Sequence, residues 1–522
     1  MSKAAEMAKV TARGGFHMLW GLVVSTVISS VGTIFIGNLL GEVKYGLYTT
    51  ALVMPMLISN FRDWGINAAM TKYSAQYNAE NKRGKIRSIF AAGIVFETVL
   101  GLALTVVGFF LSGFIAALYN NAELIPLIQI ASFTVLTGAL LATAQAAFYG
   151  VERMELNSVT LISQSIIKTI VILVLVIFGM GPLGAVIGFS IALLVAGIIG
   201  VLLMWILYKN LPKPAGKLEL KATVKTMFNY GLPLSIATII TSFQLQFYNF
   251  ILPIYISSGL YGNYGIATTF VVLIQFFALP ITTILFPAFS KLDIKKDLDA
   301  LKNVFSFSVK YASLFVVPAA AVVMVLAKPG IGVLFPDYTA APLFLVLLAI
   351  SYLLVAAGNL SIANLLNGQG QTKFNLKLSL LTAAIGFPMS WILISQFGVV
   401  GLAFTMAVAG IPSLIIALFW LKKNYGVTID WLASVRILLS ALVASAITYV
   451  IITYFVFSNW IALIIGAITF FCSFVLAVLF TRAITRMDIQ NLRDMLGGLG
   501  SLRRPLTFAL NIVEKLMNVL RI

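Results

Sequence analysis

Runs of about twenty apolar residues recur from one end of this chain to the other, each long enough to cross a hydrocarbon layer about 30 Å thick. In a bilayer, only helices and closed barrels satisfy every backbone N–H and C=O group. These runs lack the two-residue alternation of barrel strands, so helices are the spanning element. Composition agrees: the 522 residues are 60% hydrophobic and 10% charged, with a mean hydropathy of +1.02. Soluble domains carry roughly 25% charged residues.

The net charge of +18 would suit nucleic acid, but its placement suits a membrane. Basic residues fill every second loop: Lys3, Lys9 and Arg13; Lys82, Arg83, Lys85 and Arg87; Lys209, Lys213, Lys217, Lys221 and Lys225; Lys291, Lys295, Lys296 and Lys302. Lys373 and Lys377, then Lys422 and Lys423, continue the pattern, and the opposite side offers only Lys44 and Lys328. The positive-inside rule then puts both termini in the cytoplasm of a cell-membrane protein and excludes a nucleic-acid role. Cys472, the one cysteine, forms no intrachain disulfide, and no metal-ligand spacing is present. No cofactor is expected. No cleavable signal peptide is apparent, because Met1–Arg13 is polar and basic and the first apolar run is too long.

Apolar patterning predicts an all-α polytopic protein of about fourteen helices. Helices 1 to 6 cover about Gly15–Leu40, Gly46–Tyr73, Ile86–Leu118, Leu124–Tyr149, Leu156–Phe178 and Leu183–Tyr208. Helices 7 to 12 cover about Val224–Ile256, Tyr261–Phe289, Leu298–Ala327, Ala340–Leu366, Phe374–Phe397 and Val399–Leu421. Helices 13 and 14 cover about Trp431–Val456 and Trp460–Ile484. The first twelve form a repeat. Tyr45-Gly46-Leu47-Tyr48, with its apolar run ending at Tyr73-Ser74, matches Tyr261-Gly262-Asn263-Tyr264, with its run ending at Phe289-Ser290. One displacement serves both places without a gap, and it also carries Gly15 onto Gly231. Farther on, Gly150 matches Gly368, Asn157 matches Asn375, and Gly181-Pro182-Leu183-Gly184 matches Gly398-Val399-Val400-Gly401. The expected organisation is a six-helix lobe at 1–210, a second at 211–423, helices 13 and 14 at 424–486, and a cytoplasmic tail at 487–522. Leu510, Val513, Met517 and Leu520 fall at helical spacing in that tail, as in an amphipathic surface helix. A membrane chain of two similar halves usually carries its substrate path between them, which points to a transporter. The short loops leave no room for a soluble catalytic domain, so no enzyme is expected.

Ionisable groups at membrane depth are costly and tend to face a cavity or a partner. On helix 5, Asn157, Thr160, Gln164 and Lys168 share one face. This polar stripe leads from the cytoplasmic end to a cation near mid-membrane, a path suited to an anion. Pairing of Lys168 with Glu97 of helix 3 is the packing alternative. On helix 2, Asn60, Asp63, Asn67, Thr71 and Ser74 repeat the device. Arg62 beside them either lines the cavity or snorkels to the cytoplasmic surface. On helix 7, Ser235, Thr238, Ser242, Gln246 and Asn249 form an uncharged stripe suited to a hydrated wall or to sugar hydroxyls; interhelical hydrogen bonding is the alternative. The repeat carries Arg62 and Asp63 onto Ala278 and Leu279, Glu97 onto Ser313, and Lys168 onto Gly386. Charge handling therefore belongs to the first half. His17, near the cytoplasmic end of helix 1, reads as interfacial. Asp297-Leu298-Asp299 reads as a solvated helix start, and Gly368-Gln369-Gly370 as a turn between helices 10 and 11.

Asp63-Trp64-Gly65-Ile66, followed by Ala68-Ala69 and Lys72-Tyr73, resembles the end of helix 2 in polysaccharide-export flippases of the O-antigen type. Leu285-Phe286-Pro287-Ala288-Phe289-Ser290 resembles the end of their helix 8. Asn367-Gly368 with Lys373 and Asn375 resembles their helix 10–11 connection. The resemblance covers most of residues 10–485 and places the chain beside the multidrug/oligosaccharidyl-lipid/polysaccharide superfamily. It implies two lobes forming a V around a central cavity, with alternating access. It implies movement of a polyprenyl-(pyro)phosphate-linked oligosaccharide from the cytoplasmic to the outer leaflet, with Lys168 and Arg62 as cavity cations for the diphosphate. Membrane lipids, H+ or Na+ as a coupling ion, and glycosyltransferase or polymerase partners belong to the same expectation. A cation-coupled drug antiporter using Asp63 or Glu97 is the alternative, as is a non-transporting partner of a glycan-synthesis complex.

Overall fold

Backbone breaks, rather than loops, organise the first part of this chain. The computed structural model describes residues 3–213, 219–293, 296–455 and 458–496, together with 507, 511 and 514–518. The first seven helices are α1 (Lys3–Ser59), α2 (Ile66–Ala79), α3 (Arg83–Leu118), α4 (Leu124–Gly150), α5 (Met154–Leu175), α6 (Gly181–Asn210) and α7 (Leu220–Tyr255). Next come α8 (Ser258–Ser290), α9 (Leu298–Val325), α10 (Ala327–Leu334), α11 (Ala341–Ile350), α12 (Asn359–Gly368) and α13 (Thr372–Phe397). The last five are α14 (Val399–Val408), α15 (Ile411–Tyr425), α16 (Trp431–Tyr454), α17 (Asn459–Phe480) and α18 (Arg486–Leu496). No strand occurs among the described residues. Among the described residues, ten helical stretches are long and apolar enough to cross a membrane, or eleven with the pair 341–357 and 359–368, bent by 54°.

Two compact units are present: Met1–Gly265 with Phe387–Leu402, and Ile266–Gly386 with Ala403–Ile522. In the first unit, α1 is two rods meeting at Gly41, whose φ of 69° only glycine adopts without strain. A one-turn π segment, Val176–Met180, joins α5 to α6. Lipid tails are as apolar as leucine, so association relies on close packing and hydrogen bonds more than on burial of oil from water. The α1–α5 interface is built that way. A Cβ on Gly21 would strike Ser158, and one on Gly32 would strike Thr169. Ser29 Oγ donates to Ser165 Oγ at 3.1 Å, and Ser158 Oγ donates to the His17 carbonyl at 2.6 Å. Beneath them, Ile66, Met70, Ile86, Phe90, Phe148 and Met227 form a buried cluster.

The second unit has its own core of Phe289, Phe305, Leu365, Leu421 and Val427. A second cluster, with Val317, Ile437, Phe470 and Phe474, seats α16 and α17 on α9. The side chain of Asp430 caps α16 by accepting from the amide of Ala433 at 3.0 Å. In the tail, Leu510, Val513 and Leu520 lie outside the described residues. Met517 is buried against Leu479 and Ile489, on protein rather than on a lipid surface.

Three predicted helices are corrected, the simplest being helix 12, which is two helices, α14 and α15, parted at 409–410. Helix 2 is not one rod from Gly46 to Tyr73: α1 ends at Ser59, and a tight turn over 60–65 precedes α2. The amides of Phe61 and Arg62 reach back only three residues, to Ile58 and Ser59. Helix 10 is likewise interrupted by a 3-10 segment, Ser351–Ala357.

Candidate functional site

The turn between α1 and α2 is where the chain concentrates its unusual chemistry. Trp64 takes a φ of 47° and Gly65 one of 83°. A left-handed backbone at a bulky residue such as tryptophan is strained, and such strain persists where surrounding structure over-determines it. The surroundings here are the backbone of Gly231 on α7. A Cβ on Gly65 would overlap the Gly231 carbonyl, and one on Gly231 would overlap that of Gly65. Two glycines touching main chain to main chain therefore hold the break open.

Into this break project Arg62 and Asp63. The Arg62 Nε lies 2.9 Å from Glu97 Oε2, with the two side chains 12% and 0% exposed. The arginine does not snorkel. Its second contact is a weak one, Nη1 to the Val135 carbonyl at 3.4 Å. Asn67 Nδ2 donates to the other Glu97 oxygen at 3.0 Å. Asp63 Oδ1 accepts from the Asn67 amide at 2.8 Å, so Asn67 links the two carboxylates. Although Arg62 Nε and Glu97 Oε2 are close, neither atom has a well-aligned hydrogen bond. One guanidinium thus meets Glu97 imperfectly, and Asp63 is joined to the same carboxylate through Asn67.

The predicted stripes separate into different roles. Residues of α5 use two adjacent faces. Ser158, Ser165 and Thr169 address α1. Asn157, Thr160, Gln164 and Lys168 form the other face. Thr160 is bonded to Gln145 of α4 at 3.3 Å. Asn157 is fully buried, and both atoms of its amide lack a partner. Gln164 and Lys168 are half-buried and make no side-chain hydrogen bond or ion pair among the described residues. The Lys168–Glu97 pairing is not formed, because Arg62 takes that position. On α7, Asn249 accepts from the Tyr264 hydroxyl at 2.8 Å. Ser242 and Gln246 are half-buried, with no side-chain hydrogen bond among the described residues. Thr71, assigned to the helix 2 stripe, donates to the Ala146 carbonyl at 3.1 Å, and Asn60 turns back to Met56. The break dissolves that stripe as a single face but keeps Asp63, Asn67 and Arg62 together. His17 is half-buried near the start of α1.

One buried charge escapes the sequence reading. Lys310 lies in the middle of α9, and its Nζ is 2.6 Å from Asp488 Oδ2, the side chains being 13% and 3% exposed. Asp488 also accepts from the amide and hydroxyl of Thr485, at 2.7 Å each, and from the Tyr311 hydroxyl at 3.3 Å. A lysine twelve residues into an apolar helix is a visible signal; its partner, in a predicted surface tail, is not.

No group of three or more potential metal ligands occurs among the described residues. At the amino-terminal end of α3 a recess of about 620 Å³ is lined by Lys82, Arg83, Lys85, Lys213 and Glu219. At the opposite end of α3 a smaller recess brings Tyr119 and Ser258 together.

Residues 11–293, more than half of the chain, match the model of a family described as polysaccharide biosynthesis proteins. The chain belongs to this family. A second model, that of the lipid II flippase MurJ, matches residues 268–472. Among relatives of this polysaccharide biosynthesis protein, an uncharacterized membrane protein of Methanocaldococcus jannaschii is 27% identical over 395 residues, 73% of this chain and 90% of the relative. The lipopolysaccharide biosynthesis protein WzxC of Escherichia coli is 23% identical over 412 residues, 77% of this chain and 80% of the relative. Among solved structures, the lipid II flippase MurJ in an inward closed conformation superposes with a TM-score of 0.70 at 17% identity, covering 89% of this chain and 98% of that one. The fold of this family member is therefore MurJ-like.

Proposed function

We propose that this membrane protein translocates a polyprenyl-(pyro)phosphate-linked oligosaccharide from the cytoplasmic to the outer leaflet by alternating access, for cell-surface glycan assembly. Family membership and the names of WzxC and MurJ support the substrate class. The observation that carries the site is Lys168. It is a half-buried cation without a partner among the described residues, at the inner end of a polar face that packing against α1 does not use. At about 4 Å and an effective dielectric near 20, one contact with a phosphate oxygen amounts to about 4 kcal/mol before desolvation. Gln164, Ser242 and Gln246 supply neutral donors and acceptors for the head group and first sugars, with the enclosed amide of Asn157 behind Gln164 on the same face and Asn249 held by Tyr264.

Arg62, Asp63, Asn67 and Glu97 form the second element of the proposal. Two carboxylates linked by Asn67, with one guanidinium on Glu97, leave room for a further positive charge, which suits H+ or Na+ as the coupling ion. A broken helix at membrane depth is the usual setting for such a site. The orientation follows the charges: the Lys82–Arg83–Lys85 end of α3 faces the cytoplasm, as do both termini. The fourteen-helix organisation, with lobes at 1–210 and 211–423, belongs to the same proposal. Counting His17–Ser59 and Met154–Asn210 as two spans each, and adding Leu220–Tyr255 and the bent pair, raises ten to fourteen.

Reconstitution in liposomes with a fluorescent lipid-diphosphate glycan tests the reading. Lys168→Ala, verified as folded, should lower flipping by about two orders of magnitude, with Lys168→Arg retaining part of it. Wild-type flipping by folded Lys168→Ala would remove the diphosphate from this position.

A further inference from the structure

The repeated Tyr-Gly-x-Tyr motif has a structural use that leaves something over. A Cβ on Gly46 would overlap the Ser258 carbonyl, and one on Gly262 would overlap the carbonyl of Glu42. The start of α8 therefore crosses α1 main chain on main chain. Asn263 Nδ2 seals the crossing by donating to Glu42 Oε2 at 2.7 Å. Beside it opens a recess of about 210 Å³ lined by Thr50, Tyr119, Asn120, Asn121, Ser258 and Tyr261. No lining residue is charged.

Two hydroxyls of buried residues open onto this recess without a protein partner. Thr50 is 3% exposed and Tyr261 is 5% exposed, and neither side chain makes a hydrogen bond among the described residues. For a buried helical threonine this is unusual, since the hydroxyl ordinarily returns to a carbonyl three or four residues back. Thr105, Thr134, Thr137 and Thr143 all do so. Thr49, next to Thr50, already occupies the Gly46 carbonyl at 3.1 Å. Among the neighbouring tyrosines, Tyr119 donates to the Phe250 carbonyl at 3.1 Å and Tyr264 to Asn249 at 2.8 Å. Tyr261 has no such outlet. Asn121 uses its side-chain oxygen on the Glu123 amide at 3.0 Å, which leaves its NH₂ group to donate.

Hydroxyls that open onto a recess and are not spent on the protein are free to bond water or the hydroxyls of a ligand. At about 30 Å³ per water the recess holds roughly seven waters, or one pyranose ring with its hydroxyls. Its chemistry is neutral hydroxyls, amide donors and tyrosine, which offers a ring face and a polar tip. Carbohydrate presents the same combination of hydroxyls and apolar C–H faces, whereas a phosphate or carboxylate would find no cation here.

We propose that this recess binds one neutral sugar unit, at the end of α3 remote from the basic recess. The biological ligand, a sugar of the translocated glycan, rests on the flippase reading; the test does not, because it uses free sugars and detergent-solubilised full-length protein. A reporter thiol is placed at the recess by Ser257→Cys in a Cys472→Ser background, and its maleimide labelling rate is measured with glucose, galactose, N-acetylglucosamine and glucuronate. At least one neutral sugar should slow labelling saturably, glucuronate should not, and labelling of native Cys472 in the otherwise unaltered protein should be indifferent to all four. Thr50→Val and Tyr261→Phe, each removing one hydroxyl at nearly constant shape, should raise the half-protecting concentration by up to about tenfold with unchanged thermal stability. Labelling insensitive to every sugar would show a recess that holds water only and overturn the proposal. Protection that survives both substitutions would overturn it as well.

Discussion

Each unit of this protein buries one cation against one carboxylate, and the two pairs are built to opposite standards. Lys310 and Asp488, in the second unit, are 2.6 Å apart, and the carboxylate is completed by Thr485 and Tyr311. Arg62 and Glu97, in the first, are 2.9 Å apart but poorly aligned, with a second carboxylate, Asp63, tied in through Asn67. A fully satisfied buried network rigidifies; a partly satisfied one stores free energy that a ligand or a proton can release. The first arrangement pins α18 to α9. The second sits at a helix break held by strained backbone, where rearrangement is easiest. The repeat sharpens the contrast. Glu97 corresponds to Ser313, which donates to the Val309 carbonyl at 2.6 Å, and α8 runs unbroken past the positions matching Arg62 and Asp63.

The largest effect is expected from Glu97→Ala. Leaving Arg62 buried and alone should lower stability by about 3–5 kcal/mol, read as thermal unfolding in detergent. Wild-type melting would mean that Asp63 already neutralises the guanidinium, and the contrast between the pairs would collapse. Removing both charges sharpens it instead. Arg62→Met with Glu97→Met should recover most of the stability, since buried ion pairs are often replaceable by apolar groups, yet abolish gradient-driven flipping. Lys310→Met with Asp488→Leu should recover stability and keep transport. Equal transport in both doubles would assign the two pairs the same structural role.

Asp488→Asn comes next, at roughly 2 kcal/mol, the value of a few hydrogen bonds to a charged group. Burial pushes the Asp488 carboxyl up, but Lys310 and Thr485 more than offset this and hold it below the ordinary aspartate range. A carboxylate depressed in the fold contributes its stability above the unfolded value near pH 3.9 and loses it as pH falls through the lower folded value. The gap between wild type and Asp488→Asn should therefore be constant from neutral pH down to about pH 5 and close only in stronger acid. A gap that closes near neutrality would contradict the geometry. Ser313→Ala should cost under about 1 kcal/mol, because Glu97's counterpart carries no charge; a larger loss would make the repeat-related positions alike.

Much of this was legible in advance. Apolar runs and basic loops specify a helical membrane protein, and the spacing of Asn157, Thr160, Gln164 and Lys168 puts the four on one face of α5. Hydropathy does not register the break at 60–65: Asn60 to Gly65 keeps the helical spacing of polar groups, and the deciding contact, with the backbone of Gly231, lies far away in sequence. The same distance hides Lys310–Asp488. The length of the Arg62 side chain permits both cavity and surface, and only the position of Glu97 one helix away decides between them.

The crossing at Gly46 and Gly262 has a mechanical consequence. Where side chains interlock, parting two helices means withdrawing knobs from holes and refilling them, with rotamers frozen on one side and voids opened on the other. Here a Cβ built on either glycine would fall 3.0 Å from the other's backbone nitrogen, so no side chain stands between the strands of main chain. Separation at that point unlocks no rotamer and leaves no void of its own. The crossing behaves as a smooth bearing, and resistance to motion there falls on its rim, where the hydrogen bond from Asn263 to Glu42 lies.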